Sequence, residues 1–223
     1  MVASRAPILD LLSEDSARLR LVDELKELTD RGAHLSGDSV GVILGQWYHP
    51  LHYFPVFLSR LVSVAPTIEA QTFISRILWQ ELGQGDPALA HEKIYIDTMT
   101  GAGFERRLIA SSPPLESTAH LVDGYKRAPA DYLSGLGFLY GTEVADLAMV
   151  SSIGILVGKC SGKHALPWVD IHVEQEPDHV ETSSRTLMPV FSSEEQARIV
   201  SNAKEMWNLW VGFFVELKKL VLH

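Results

Sequence analysis

Two histidines and a glutamate stand at helical spacing in HVEQEPDH, the segment from His172 to His179. Successive residues of an α-helix rotate by about 100°, so with His172 at zero, Glu176 falls near about +40° and His179 near about −20°. The side chains share a sector of roughly 60°, while Glu174 and Asp178 point well away, so helical phase selects Glu176 from the nearby acids. Two imidazoles and a carboxylate on one face suit a divalent transition metal such as iron, manganese or zinc. The same spacing also describes a solvated polar face, and Pro177 distorts the wheel between Glu176 and His179.

Glu143 is the second unusual residue. It lies in LGFLYGTEVADLAMVSSIGILVG, where the other charge is Asp146. A carboxylate buried without a partner costs several kcal/mol, so it is paired, hydrogen-bonded or bound to metal. The same stretch holds Gly135, Gly137, Gly141, Gly154 and Gly158. Each glycine weakens a helix by ~1 kcal/mol, a cost that close approach of a neighbour or ligand explains.

The third signal is WQELGQGDPALAH, which separates Glu81 from His91 by two glycines and a proline. In one unbroken helix the pair would stand about 80° and about 15 Å apart. The interruption from Gly83 to Pro87 instead ends one helix with Glu81 in its last turn and presents His91 about one turn into the next. A carboxylate near a helix carboxyl end is disfavoured by the macrodipole, and a cation would compensate. Glu81, His91, Glu143, His172, Glu176 and His179 together supply three carboxylates and three imidazoles. That is the ligand set of di-iron and di-manganese sites in helical proteins. Two divalent ions bring about +4 against about −3, a slightly positive centre suited to an anionic substrate group or reduced oxygen species.

The elements that must position these residues read as helix nearly throughout. Residues 7 to 32 carry Leu11, Leu12, Leu19, Val22, Leu25 and Leu28 roughly at helical spacing. A second helix spans about 38 to 64, with Pro50 and Pro55 expected to kink or divide it. A third spans about 67 to 82, and Asp86 with Pro87 then reads as the start of a helix running to about Gly101. SSPPLE at 111 to 116 is a break, followed by a short helix to 127 and a long apolar one over 130 to 158. KCSGKHALP reads as a loop, and a helix with an internal proline begins near Trp168. Ser192 and Glu195 have capping-box spacing ahead of the stripe Ile199, Ala203, Met206, Trp210, Phe213, Leu217 and Leu220. The expectation is one all-α domain over residues 1–223.

Composition narrows the function. The chain has 223 residues, 46% hydrophobic and 21% charged, with a net charge of −9. No basic excess is available for phosphates or anionic membranes. Cys160 is the only cysteine, which excludes an intramolecular disulfide and thiolate-rich zinc or iron–sulfur sites. MVASRAPILDLLSEDSARLR becomes charged too early for a secretory signal. LAMVSSIGILVG, about 12 residues, falls short of the roughly 20 of a membrane span. A cytoplasmic location is the expectation.

The ordered pattern Glu81, His91, Glu143, His172-x₃-Glu176-x₂-His179, with its phrase ELGQGDPALAH, resembles the haem-oxygenase-like di-iron oxidases and oxygenases, a family sharing the TenA/PqqC-like superfamily fold. The resemblance covers roughly residues 40 to 220. It implies a seven-helix bundle, usually a homodimer, holding two iron atoms on those six residues. It also implies O₂ as co-substrate, an external electron donor and a small amine, amino acid or fatty acid as substrate. The outcomes it suggests are carbon–carbon cleavage, desaturation or N-oxygenation in specialised or cofactor metabolism.

Two departures bear on this. Most relatives have Asp where this chain has Glu176, and the extra carboxylate of some N-oxygenating members is absent from residues 39 to 68. In that acid-free helix Tyr48, His49, His52 and Tyr53 are the candidates for lining a substrate pocket, with core packing as the alternative. Arg76, Lys159 and Lys163 are candidates for a substrate carboxylate. Two alternatives stand beside the oxidase: a metal-free TenA- or PqqC-like enzyme, for which Cys160 is the available nucleophile, and a non-catalytic ligand-binding helical protein. Residues before 34 hold no histidine to serve as a proximal haem ligand.

Overall fold

Capping side chains set many of the helix boundaries. The computed structural model describes residues 7–222; residues 1–6, where the stretch read as lacking a secretory signal begins, lie outside that range. The helices are α1 (Pro7–Ser13), α2 (Ser16–Arg31), α3 (Gly37–Val64), α4 (Ile68–Glu81), α5 (His91–Gly101), α6 (Arg106–Ser111), α7 (Glu116–Arg127), α8 (Tyr132–Ser161), α9 (Pro167–Thr186) and α10 (Ser193–Val221). No strand occurs among the described residues. Asp15, Ser36, Thr67, Asp131 and Ser192 each accept a backbone N–H at a helix start. Ser192 and Glu195 complete the capping box that their spacing predicts. The all-α expectation holds, with ten α-helices among the described residues, α1 and α6 being short, where the resemblance implies seven.

Several boundaries differ from the sequence reading. The helix expected over 7 to 32 breaks at Asp15, whose carboxylate accepts from Ala17 N. The break resets the helical phase, so Ile8, Leu9, Leu12, Leu21, Leu25 and Leu28 are buried while Leu11, Leu19 and Val22 are exposed. Pro50 and Pro55 do not divide α3, which runs through both. An internal proline costs ~3 kcal/mol, and α3 offsets it by burying a long face that includes Trp47, Leu51, Phe54, Phe57 and Leu58. Cys160, expected in a loop, lies in the last turn of α8, which ends at the left-handed Gly162.

α8 is the core helix. It spans 30 residues and, unlike its 12-residue run LAMVSSIGILVG taken alone, is long and apolar enough to cross a membrane by length and composition. In the fold it packs against α10, α9, α3 and α2. Glycine permits the closest of these approaches: a Cβ on Gly137 would lie 2.4 Å from the Ile199 carbonyl oxygen of α10. Gly212 inside α10 faces no such neighbour within 4 Å.

The two glycines make a contrast in stability. Gly137→Ala is expected to lower the thermal midpoint, since about 1–3 kcal/mol of overpacking exceeds the ~1 kcal/mol of added helix propensity. Gly212→Ala is expected to raise the midpoint by roughly 2–4 °C. Thermal unfolding of both variants checks this, and equal midpoints would contradict the close α8–α10 contact.

Candidate metal centre

Glu81 and His91 meet because the chain reverses sharply between them. Gly83, Gln84 and Gly85 have φ of 81°, 57° and 95°, left-handed values that a β-carbon disfavours. At Gly83 a Cβ would lie 2.2 Å from the Asp86 carbonyl oxygen, so glycine is required there. Asp86 then accepts from Ala88 N and caps a 3₁₀ turn over Pro87–Leu89. The cap is the one the sequence predicts, but the helix it starts is only this turn. α5 begins at His91 itself, so His91 is its first residue and not one turn in. Glu81 ends α4, and its Oε2 lies 3.1 Å from His91 Nδ1.

α9 adds a row of three. His172, Glu176 and His179 are buried, Glu174 is exposed, and Asp178 turns away to pair with Arg76 at 2.7 Å. Pro177 sits exposed on the far side, so the helix continues and the wheel survives. α8 supplies Glu143. His179 Nδ1 lies 3.4 Å from Glu143 Oε2, 3.7 Å from Glu176 Oε2 and 3.9 Å from Glu81 Oε1. The rings of His91 and His172 are 4.7 Å apart. All six side chains that the sequence singled out are at most 5% exposed and gather in one place.

Five of them line a cavity of about 30 Å³, and His91 stands behind it against Glu81 and His172. Glu81, Glu143, Asp146, His172, Glu176 and His179 form its polar side, and Trp47, Leu51, Phe54, Tyr125 and Trp210 are prominent on its apolar side. Glu143 Oε1, Glu176 Oε1 and His179 Nε2 are buried without a hydrogen-bond partner. Such orphaned atoms cost free energy unless a ligand satisfies them. Ligand atoms of Glu143, Glu176 and His179 lie within 4.8 Å of one another, close enough to share an ion. The His172 Nδ1–H donates to the Trp168 carbonyl at 2.7 Å. In a neutral imidazole this leaves the Nε2 lone pair free, the tautomer a metal ligand needs.

The titrations reflect the crowding. Burial alone would raise Glu81, but His91 beside it, with His179 and His172, brings its carboxyl down to about 2. Burial disfavours charge on His179, yet Glu143 and Glu81 lift it to about 9. Burial and repulsion from His91 lower His172 to about 4. Burial, then Glu143 and Glu81, push Asp146 up to about 7. Burial and the neighbouring Asp146 and Glu143 carry Glu176 well above the usual carboxylate range.

Asp146 is the cavity residue that sequence reasoning passed over, noting it only as another charge beside Glu143. The signal was available: it follows Glu143 by one helical turn and shares its face. The expected substrate residues lie elsewhere. Trp47, Pro50, Leu51 and Phe54 turn toward the cavity, while Tyr48, His49, His52 and Tyr53 do not line it. Tyr48 and His52 bind Glu92, at 2.8 and 2.9 Å, His49 contacts the Ser112 carbonyl, and the Tyr53 hydroxyl accepts from Arg60. The helical stripe facing the core is simply one residue out of phase with the polar aromatic one. Arg76 is held by Asp178, Lys159 donates to the Thr29 carbonyl, and Lys163 lines a separate surface groove. Cys160 does not line the cavity either.

Comparison with known proteins bears on both fold and site. A family described as iron-containing redox enzymes matches residues 42–211. No curated protein matches the sequence. Among solved structures, a CadD-like protein of unknown function from Nostoc punctiforme superposes with a TM-score of 0.80 at 14% identity, covering 97% of this chain and 96% of its own. A TenA homologue from Pseudomonas syringae gives 0.76 at 14% identity, over 98% and 96% of the two chains. A domain of unknown function with a haem-oxygenase-like fold, from Shewanella denitrificans, gives 0.70 at 14% identity, over 96% and 88%. The fold is therefore haem-oxygenase-like, as the resemblance implied.

The sign of each shift sets how the metal-free protein responds to pH. His179, raised to about 9, contributes stability that is complete below its ordinary 6.5 and lost as pH rises through about 9. His91, also raised, acts in the same direction. Glu81 and His172, both lowered, lose their contributions only as pH falls, through about 2 and about 4. The thermal midpoint of the metal-free protein is therefore expected to fall between pH 6.5 and 9, and His179→Gln should flatten that decline. A midpoint rising over the same range contradicts the charge arrangement.

Proposed function

The chain belongs to the family of iron-containing redox enzymes, and on that premise we propose that it is a non-haem di-iron, O₂-dependent oxidase or oxygenase of a small amino-acid-like or carboxylate substrate. The observation that carries this reading is the convergence of Glu81, Glu143, His172, Glu176 and His179 on one buried cavity, with His91 in contact with Glu81 beside it and orphaned atoms on Glu143, Glu176 and His179. Oxygen and imidazole donors without thiolate suit iron. These six residues would hold the ions, and the bound iron supplies the electrons for O₂ chemistry that side chains alone do not provide.

The remaining residues shape what reacts. Trp47, Leu51, Phe54 and Trp210 give the cavity an apolar wall, which excludes water and favours a substrate with a hydrocarbon portion. At about 30 Å³ the space holds little more than a water or two, so an organic substrate enters only if the apolar wall moves. The Thr142 hydroxyl donates to the Phe138 carbonyl, so the Tyr125 hydroxyl, 2.9 Å away, donates to Thr142. That leaves the Tyr125 oxygen an acceptor at the wall, suited to an amine. His172, fixed by the Trp168 carbonyl, keeps its Nε2 toward the cavity without rotating. An external electron donor, a homodimer and a cytoplasmic setting complete the proposal.

The likeness to a TenA homologue also fits a metal-free enzyme on the same fold. Its nucleophile would be Cys160, which lies in the last turn of α8 and outside the cavity lining. Anaerobic iron loading separates the readings. The wild type is expected to take up about two ferrous ions per chain and to consume O₂ faster with a matching small amino acid or carboxylate. His172→Ala and His179→Ala should each lose bound iron. Normal iron stoichiometry in both variants would overturn the di-iron reading, and activity abolished by alkylating Cys160 without iron would favour the metal-free one.

A further inference from the structure

Asp146 is the one cavity carboxylate that the six-residue pattern does not include. It lies on α8 one turn beyond Glu143, is 17% exposed and lines the cavity beside His172, Glu176 and His179. Its Oδ2 stands 3.7 Å from His172 Nε2. That contact is not an ordinary hydrogen bond. The His172 proton is committed to the Trp168 carbonyl through Nδ1, so in the neutral imidazole Nε2 offers a lone pair. A carboxylate oxygen also offers lone pairs. Two acceptors therefore face each other across a gap shorter than two metal–ligand bonds of about 2.1 Å each, and a cation between them would satisfy both.

Resting on the di-iron reading, we propose that Asp146 is a seventh protein ligand of the metal centre, paired with His172 on an ion distinct from the one that Glu143, Glu176 and His179 share. Asp146 supplies the additional carboxylate from α8. Four carboxylates against two divalent ions bring the centre from about +1 to about zero. A neutral centre suits its dry, apolar surroundings better than a charged one.

Anaerobic ferrous titration of the wild type, Asp146→Asn and Asp146→Glu tests this, read by iron per chain, competition with a chelator and Mössbauer spectra. The wild type should bind about two ions. Asp146→Asn should keep one at wild-type affinity and bind the other at least ~10-fold more weakly, with loss of one of two iron signals. Asp146→Glu, which restores a carboxylate, should recover the second ion with an altered quadrupole splitting. Two ions at wild-type affinity in Asp146→Asn would overturn the assignment while leaving the di-iron reading intact. Fewer than about two ions in the wild type would overturn both. Should Asp146→Asn fail to fold, an Asp146→Glu protein with both ions and unchanged spectra overturns the assignment.

Discussion

Four carboxylates and two imidazoles line one small cavity in the core of an otherwise apolar bundle, with His91 packed against Glu81 behind them, and the rest of the architecture answers to that charge. Glu81, Glu143, Asp146 and Glu176 carry more negative charge than the nearby histidines can balance, and no lysine or arginine lines the space. Burying each ion costs several kcal/mol in the absence of compensation. In the metal-free chain the compensation is internal: His91 and His179 are drawn toward protonation, and Asp146 and Glu176 toward neutrality. A bound cation would replace that proton sharing with a direct interaction, which would couple metal affinity to folding stability.

Rigid elements hold this arrangement. Glu143 and Asp146 ride on α8, which α10 approaches closely over Gly137. The α9 row is fixed by a continuous helix whose proline faces outward. Glu81 and His91 depend on a short reversal instead, where Gly83 permits a backbone approach that any side chain would block. Helices thus set the rows of carboxylates and imidazoles, and one glycine turn brings the last pair into register. The wall opposite, from Trp47 to Phe54 on α3, is apolar.

This division of labour suits an iron-containing redox enzyme. The donor side is polar and preorganised, and the facing wall is apolar with a single tyrosine–threonine pair. On the proposed reading, substrate selection falls to the wall, and bound iron would provide the electron chemistry. Similar structures at 14% identity share the fold without sharing this sequence, so that likeness speaks to the fold alone.

Local pattern alone determined the helical class, most helix starts and the six converging residues, because helical phase, capping chemistry and isolated charge in apolar runs are properties of neighbouring residues. His172, Glu176 and His179 could be selected by rotation about one axis, and Glu143 by its apolar setting. The phase of α3 was beyond reach: the stripe facing the cavity and the stripe of polar aromatics differ by one residue, and packing against α4, α6, α7 and α8 decides between them. The break at Asp15 and the helical Cys160 depended likewise on caps and burial. Asp146 shared a face with Glu143 in the sequence, but its nearness to His172 needed α8 and α9 packed together. Distances between helices arise from side chains interlocking across them, and only the tertiary structure contains those.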